Sequence, residues 1–208
     1  DNANANNIHI ASNLIMRRDD NNEDNLLPVK YSAFVLPVTA RNQKSGKAEE
    51  TIVYFDQGAD ETWVSTELAK HLKLEPLAFQ DLHVTTVTGV EDYEDTSIVE
   101  LQVQSMDKKA MFHLKCRVMD NLPQCSYQDL GKIQRKYSFL SNVPVYTTSA
   151  KKVGLCIGRD NCHLLMHERI IDGGKNRPKA FKMKLGWTIC VPRQQDNLEI
   201  DSNFSKST

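Results

Sequence analysis

No stretch of the chain is long and apolar enough to cross a bilayer as a helix, since no such run approaches the roughly 18 residues required. The first residues also lack the basic-then-apolar order of a secretory signal. Charge of one sign is missing as well. The 26 basic and 27 acidic residues leave a formal net charge of −1. Composition therefore offers no electrostatic footprint for nucleic acid or for an anionic membrane surface. Cysteine is scarce and odd in number: Cys116, Cys125, Cys156, Cys162 and Cys190 follow no regular spacing. That argues against a disulfide framework and for a reducing compartment, intracellular and cytoplasmic. Cys162, His163 and His167 lack the second ligand pair of a closed zinc site, so no metal is assigned to them.

What is present reads as one ordinary globular domain with tails. The chain has 208 residues, 40% of them hydrophobic and 25% charged, enough to bury a core of useful size. Residues 1–25 are rich in Asn and Asp and poor in large apolar groups, which predicts a flexible leader. Residues 26–192 carry the folded pattern, and 193–208 form a polar tail.

Short apolar runs broken by turn residues dominate the middle of the chain. Strands are expected over Val29–Thr39, Glu50–Phe55, Leu82–Val90, Ser97–Ser105, Met111–Met119 and Val153–Ile157, with a last strand region over Phe181–Val191. Polar turns fall at Asn42–Lys47 and Asp107–Lys109, and a polar hairpin tip at Gly89–Asp95. Ser65–Leu74 is the clearest helix: Ser65 can cap it, Leu68 and Leu72 share a face, and Pro76 ends it. A second short helix is expected over Asp160–Arg169. Residues 120–152 show no clean period and read as a long insertion, with a short helix near Tyr127–Arg135. Strands at roughly ten-residue spacing make the chain mainly β, a barrel or a sandwich.

Two segments carry chemistry. Ile52-Val53-Tyr54-Phe55 delivers Asp56 into a turn that continues Gln57-Gly58-Ala59-Asp60. About a hundred residues later, Val153-Gly154-Leu155-Cys156-Ile157 runs into Gly158-Arg159-Asp160. An acid at the end of an apolar strand, with glycine two residues on, suits a carboxylate that must come close to another group. Two carboxylates held about 3 Å apart cannot both ionise, so they share one proton. One then acts as base on a water while the other donates to a carbonyl.

Asp56-Gln57-Gly58-Ala59-Asp60 resembles the active-site loop of retroviral aspartic proteases, and Ile157-Gly158-Arg159-Asp160 resembles the segment before their terminal helix. The order of parts and the ending Leu185-Gly186-Trp187-Thr188-Ile189 are similar to the protease region of BEL/Pao-type retrotransposon polyproteins. The resemblance covers about residues 27–192. It implies a small closed retropepsin-like β-barrel with a flap hairpin and one short C-terminal helix, working as a homodimer. It implies Asp56 as the catalytic residue, Gln57, Gly58 and Ala59 as the rest of the active-site loop, and an Asp60–Arg159 pair within one subunit. Gly89, Val90, Glu91 and Asp92 become the flap that closes over an extended polypeptide substrate. No cofactor, nucleic acid or membrane is called for.

The chain departs from the family at one position. Gln57 stands where relatives carry a hydroxyl that interlocks the two Asp loops of the dimer, so that lattice cannot be the same here. A second reading therefore stands beside the first, that of a pseudoprotease kept as a dimerisation or protein-binding module. Ile170-Ile171-Asp172-Gly173-Gly174 also fits an apolar-Asp-x-Gly frame. Too little chain follows it to build a second lobe, and it reads as a turn at the end of the preceding helix. One chain then supplies one catalytic Asp, and two chains are needed.

Overall fold

Alternation along the strands sorts the side chains onto two faces, and the pairing of strands closes them into a barrel. In the computed structural model of the chain the described residues are 6–9, 32–86, 89–123 and 130–192. The strands are β1 (Asn6–His9), β2 (Val35–Arg41), β3 (Ala48–Phe55), β4 (Trp63–Ser65), β5 (Ala78–Thr86), β6 (Gly89–Ser105), β7 (Met111–Met119), β8 (Val153–Ile157), β9 (His167–Asp172), β10 (Lys179–Met183) and β11 (Gly186–Cys190). Three short helices interrupt them: α1 (Thr66–Leu72), α2 (Leu130–Lys136) and α3 (Cys162–Leu165). The order β6-β2-β3-β8-β4-β7, with β7 pairing back onto β6, is a closed six-stranded barrel. Closure leaves these six strands without a free edge. The chain is thus mainly β, as its strand spacing predicts.

On β3, Val53 and Phe55 join the large buried cluster with Leu36, Val38, Val99, Leu101, Val103, Leu114, Leu155 and Ile157. Their neighbours Ile52 and Tyr54 belong to a second cluster with Trp63, Cys156, Leu82 and Val84. That second cluster carries apolar packing from the barrel strands to the β5–β6 hairpin. β3 and β8 run parallel, with Phe55 opposite Ile157, so the residues that follow each strand emerge side by side.

Helix α1 is capped as expected, Ser65 accepting from Leu68 N at 3.1 Å. Its end is set earlier than Pro76. Lys73 adopts the left-handed conformation at φ 55°, and Leu74 N donates back to Ala69 O at 3.0 Å, so the turn closes without proline. Asn42, 6% exposed, ties this end to the β2–β3 turn. Its Nδ2 donates to Leu72 O at 3.0 Å and Lys73 O at 2.8 Å, and its Oδ1 accepts from Lys44 N at 2.9 Å.

Several expectations are corrected. Gly89–Asp95 is not a hairpin tip: these residues are the first part of the 17-residue strand β6. Gly89 faces Thr86 and Asp92 faces His83 in the β5–β6 ladder, while the turn residues 87–88 lie outside the described set. Acidic side chains tolerate strand positions when that face is solvated. The helix expected over Asp160–Arg169 is a 3-10 turn at Arg159–Asn161 followed by the single turn α3. Met166 then turns extended at ψ 131°, and His167–Asp172 pairs with β10. Asp172 accordingly begins a turn between two strands, not one at a helix end, with Gly174 N donating to its Oδ1 at 2.8 Å. The last strand region is a hairpin, β10 against β11.

The 120–152 insertion has its own packing. Leu130, Leu140 and Val143 bury against Ala180 and Ile189, so this segment covers one face of the three-stranded sheet β11-β10-β9. That sheet is fastened to the barrel by Thr188 Oγ1, which donates to Val35 O at 2.8 Å, and by Ser32 N, which donates to Val191 O at 2.8 Å. Strand β1 adds in parallel to β5. The rest of the 1–25 leader and the 193–208 tail lie outside the described residues.

Replacing Asn42 by Ala should strand the Lys73 carbonyl and the amides of Lys44 and Ser45, while Leu72 O keeps the Ser45 hydroxyl as a donor. A loss of about 1–3 kcal/mol is expected, read as a lower denaturant midpoint at unchanged slope.

Candidate active site

Asp56 is the first residue past β3, and the backbone around it is tightly specified. Its N–H donates to Ile157 O at 3.0 Å across the parallel pair, and its own carbonyl accepts from Ala59 N at 3.3 Å. One carboxylate oxygen, Oδ1, accepts from Gly58 N at 2.8 Å, an Asp-centred turn that holds the side chain in one orientation. The residue is only 5% exposed. The other oxygen, Oδ2, is buried and has no hydrogen-bond partner among the described residues. Burial pushes the Asp56 carboxyl above its ordinary value of 3.8, against the smaller opposing pull of the Gly58 and Ala59 amides. The result is a carboxyl group that holds its proton more firmly than a surface Asp, with one oxygen left over for a further partner.

The loop after β8 is stitched to the loop after β3. Arg159 N donates to Ala59 O at 2.8 Å and Asp160 N to Asp60 O at 3.1 Å. This approach requires glycine at 158, since a Cβ there would lie 2.2 Å from Glu61 O and 3.0 Å from Ala59 O. Thr62, 1% exposed, sits at the centre of the join. Its hydroxyl donates to Asp160 Oδ1 at 2.6 Å and its amide to Asp160 Oδ2 at 3.0 Å. The same hydroxyl oxygen accepts from Gly158 N at 3.2 Å and from Asn161 Nδ2 at 2.9 Å.

Residues named from sequence fall as follows. Asp56, Gly58, Ala59, Asp60, Gly158 and Arg159 come together in the paired loops. Arg159 Nη2 donates to Asp60 Oδ1, joining two residues far apart in sequence. The pair is not the nearly buried one that would carry several kcal/mol, because the Arg159 side chain is 56% exposed. In the isolated chain it is worth about 0–1 kcal/mol. Gln57 is exposed beside the buried Asp56. Gly89 and Val90 are exposed on β6, and Asp92 contacts His83 across the hairpin. The Glu91 side chain lies outside the described set.

Two contacts of the site have no signal in the sequence, the Thr62–Asp160 clasp and the Arg117–Glu61 pair. Asp160 and Thr62 act as the clasp between the loops, although Asp160 drew notice only as part of Gly-Arg-Asp. Arg117, 3% exposed near the C-terminal end of β7, forms a two-pronged ion pair with Glu61, Nε to Oε2 at 2.7 Å and Nη2 to Oε1 at 3.2 Å. An arginine in an apolar strand gives no sequence signal of its partner. Among the described residues no helix is long and apolar enough to cross a membrane.

Compared with known proteins, the chain matches no family model, no curated protein and no solved structure.

Two outcomes are expected from these loops. Gly158→Ala should drive a methyl into the Glu61 carbonyl and cost roughly 1–3 kcal/mol of stability, measured by chemical denaturation. Asp56→Asn should stabilise the isolated chain at neutral pH. With the folded carboxyl raised, the unfolded state loses its proton first as pH rises. The folded state then binds more protons, and wild-type stability declines from about the ordinary 3.8 upward through the raised folded value. The advantage of Asp56→Asn over wild type should therefore be largest at pH 7 and vanish below the ordinary range. An advantage independent of pH would show that Asp56 is not destabilised by burial.

Proposed function

We propose that the chain is an aspartic endopeptidase of the retroviral type that cleaves extended peptide segments as a homodimer. The observation that carries this reading is Asp56 itself. It is a buried carboxyl at the end of a barrel strand, fixed through Oδ1 and unpartnered at Oδ2, on a loop clasped to Gly158-Arg159-Asp160. A lone buried carboxyl with a spare oxygen lacks half of an acid–base pair. A two-fold partner would supply the other half from its own Asp56.

In that dimer the two carboxyls share one proton. The ionised one takes a proton from a water whose oxygen attacks the scissile carbonyl carbon, while the protonated one donates to the carbonyl oxygen. Collapse of the tetrahedral adduct breaks the C–N bond: the carboxylate that gave up its proton takes one from an adduct hydroxyl, re-forming the carbonyl, while the other carboxyl passes the proton taken from water to the leaving amine. The β5–β6 hairpin is the flap of this reading, and the substrate lies as an extended strand beneath it, held through main-chain hydrogen bonds. Asp60, ordered by Arg159, borders that groove. Gln57 flanks the dyad in each chain and makes the contact across the two-fold axis in place of the hydroxyl that retroviral proteases carry there. The chemistry uses no cofactor.

The purified chain, incubated with a mixed peptide library at mildly acid pH, should cleave and should sediment at twice 23.6 kDa. Asp56→Asn should lower the rate by at least about 10³-fold while leaving the dimer intact. A stable dimer that cleaves nothing would favour the binding-module reading, and a monomer that cleaves would overturn the shared-dyad argument.

A further inference from the structure

We propose that Arg117 is a positioning residue that couples the loop carrying Asp56 to the root of the β5–β6 hairpin; its consequence for catalysis rests on the peptidase reading above. Arg117 sits where β7 pairs with two strands at once, opposite Trp63 of β4 and Ile98 of β6. Its side chain is 2% exposed, and its guanidinium is occupied in two directions. Toward the active-site loop it grips Glu61, the residue after Asp60, through the two-pronged pair already described. Toward the hairpin, Nη1 donates to Thr96 Oγ1 at 2.7 Å and lies 3.4 Å from Gln80 O, while Nη2 lies 3.4 Å from Gln80 Oε1. The Thr96 hydroxyl in turn donates to Gln80 O at 2.6 Å.

Gln80 and Thr96 are a particular pair. They are the last facing residues before the ladder is interrupted, because the register steps from Gln80↔Thr96 to Leu82↔Tyr93. Asp81 is left opposite Glu94 and Asp95, with Asp95 at φ 49° and its amide donating to Asp81 Oδ1 at 3.1 Å. A bulge of this kind removes ladder bonds and bends the ribbon, so it is where the outer hairpin pivots. The guanidinium holds the barrel side of that pivot with one edge and the active-site loop with the other. Movement of the root shifts the guanidinium, and the planar fork passes that shift to Glu61. A lysine ammonium lacks the fork and cannot hold both sides in register. Because the charge is buried, loosening either side leaves it under-compensated, which links displacement of the hairpin root to displacement of the loop.

Amide hydrogen exchange on the full chain tests this coupling without requiring catalysis. Among the described residues the Glu61 carboxylate bonds only to Arg117, so Glu61→Gln touches no hairpin residue. It should nonetheless speed exchange at residues 82–85 and 90–93 roughly 3- to 30-fold. Thr96→Val, made on the hairpin root, should by reciprocity speed exchange at Gly58, Ala59 and Thr62 by a similar factor. Val38–Ala40, in the β2–β3 ladder, should be unchanged in both. Acceleration confined to the mutated element overturns the proposal, as does equal acceleration of the whole barrel. With wild-type cleavage in hand, Arg117→Lys should raise KM more than it lowers kcat, and an unchanged KM overturns the catalytic consequence. If the wild-type chain cleaves no peptide, the peptidase reading fails, while the exchange pattern still decides the coupling.

Discussion

Two backbone segments meet where β3 and β8 end, and they can do so only because residue 158 has no side chain. The parallel pairing of Phe55 with Ile157 aims both following loops at the same place. The glycine then lets the chain lie against the carbonyls of Ala59 and Glu61 at a distance no Cβ permits. Everything that specifies the site follows from that approach. The amides of Arg159 and Asp160 find acceptors on the Asp56 loop, Thr62 comes within reach of Asp160, and Arg159 arrives beside Asp60. The join is made mostly of backbone bonds and one clasp between the buried Thr62 hydroxyl and the exposed Asp160 carboxylate. Such bonds hold position closely, because each leaves a buried group unsatisfied if it breaks.

Within that rigid setting Asp56 is one of two exceptions. Nearly every other buried polar group among the described residues is satisfied, whereas the Asp56 Oδ2 and the Trp63 indole N–H have no partner. A protein that spends so many hydrogen bonds fixing one carboxyl, and then leaves half of it bare in a buried setting, maintains an unfavourable arrangement that stability alone does not explain. That is the physical ground for proposing chemistry at Asp56.

The electrostatics of the two arginines separate by burial. Arg159 is half in water, so its pairing with Asp60 orients more than it stabilises. Arg117 is out of water, engages every contact in a fixed fork, and lies between the loop after β3 and the root of the β5–β6 hairpin. The residue without a recognisable motif thus holds the stronger mechanical position.

Strand content, the turn after β2, the capped helix α1, the strands Met111–Met119 and Val153–Ile157, and the Asp56 and Gly158 loops were legible in the sequence, because each rests on local chemistry. Alternation, a serine at a helix start, and glycine after an acid act over a few residues. Three things were not legible. His167–Arg169 fell within an expected helix over Asp160–Arg169, and only pairing with β10 made His167–Asp172 a strand. Gly89–Asp95 is as polar as a turn, and only pairing of Gly89–Tyr93 with β5 made most of it strand. Arg117 and Glu61 are 56 positions apart, and nothing near either one announces the other. Closure of the barrel brought them together. Contacts between distant segments depend on register and closure, which are properties of the whole sheet, so they could be decided only by the tertiary structure.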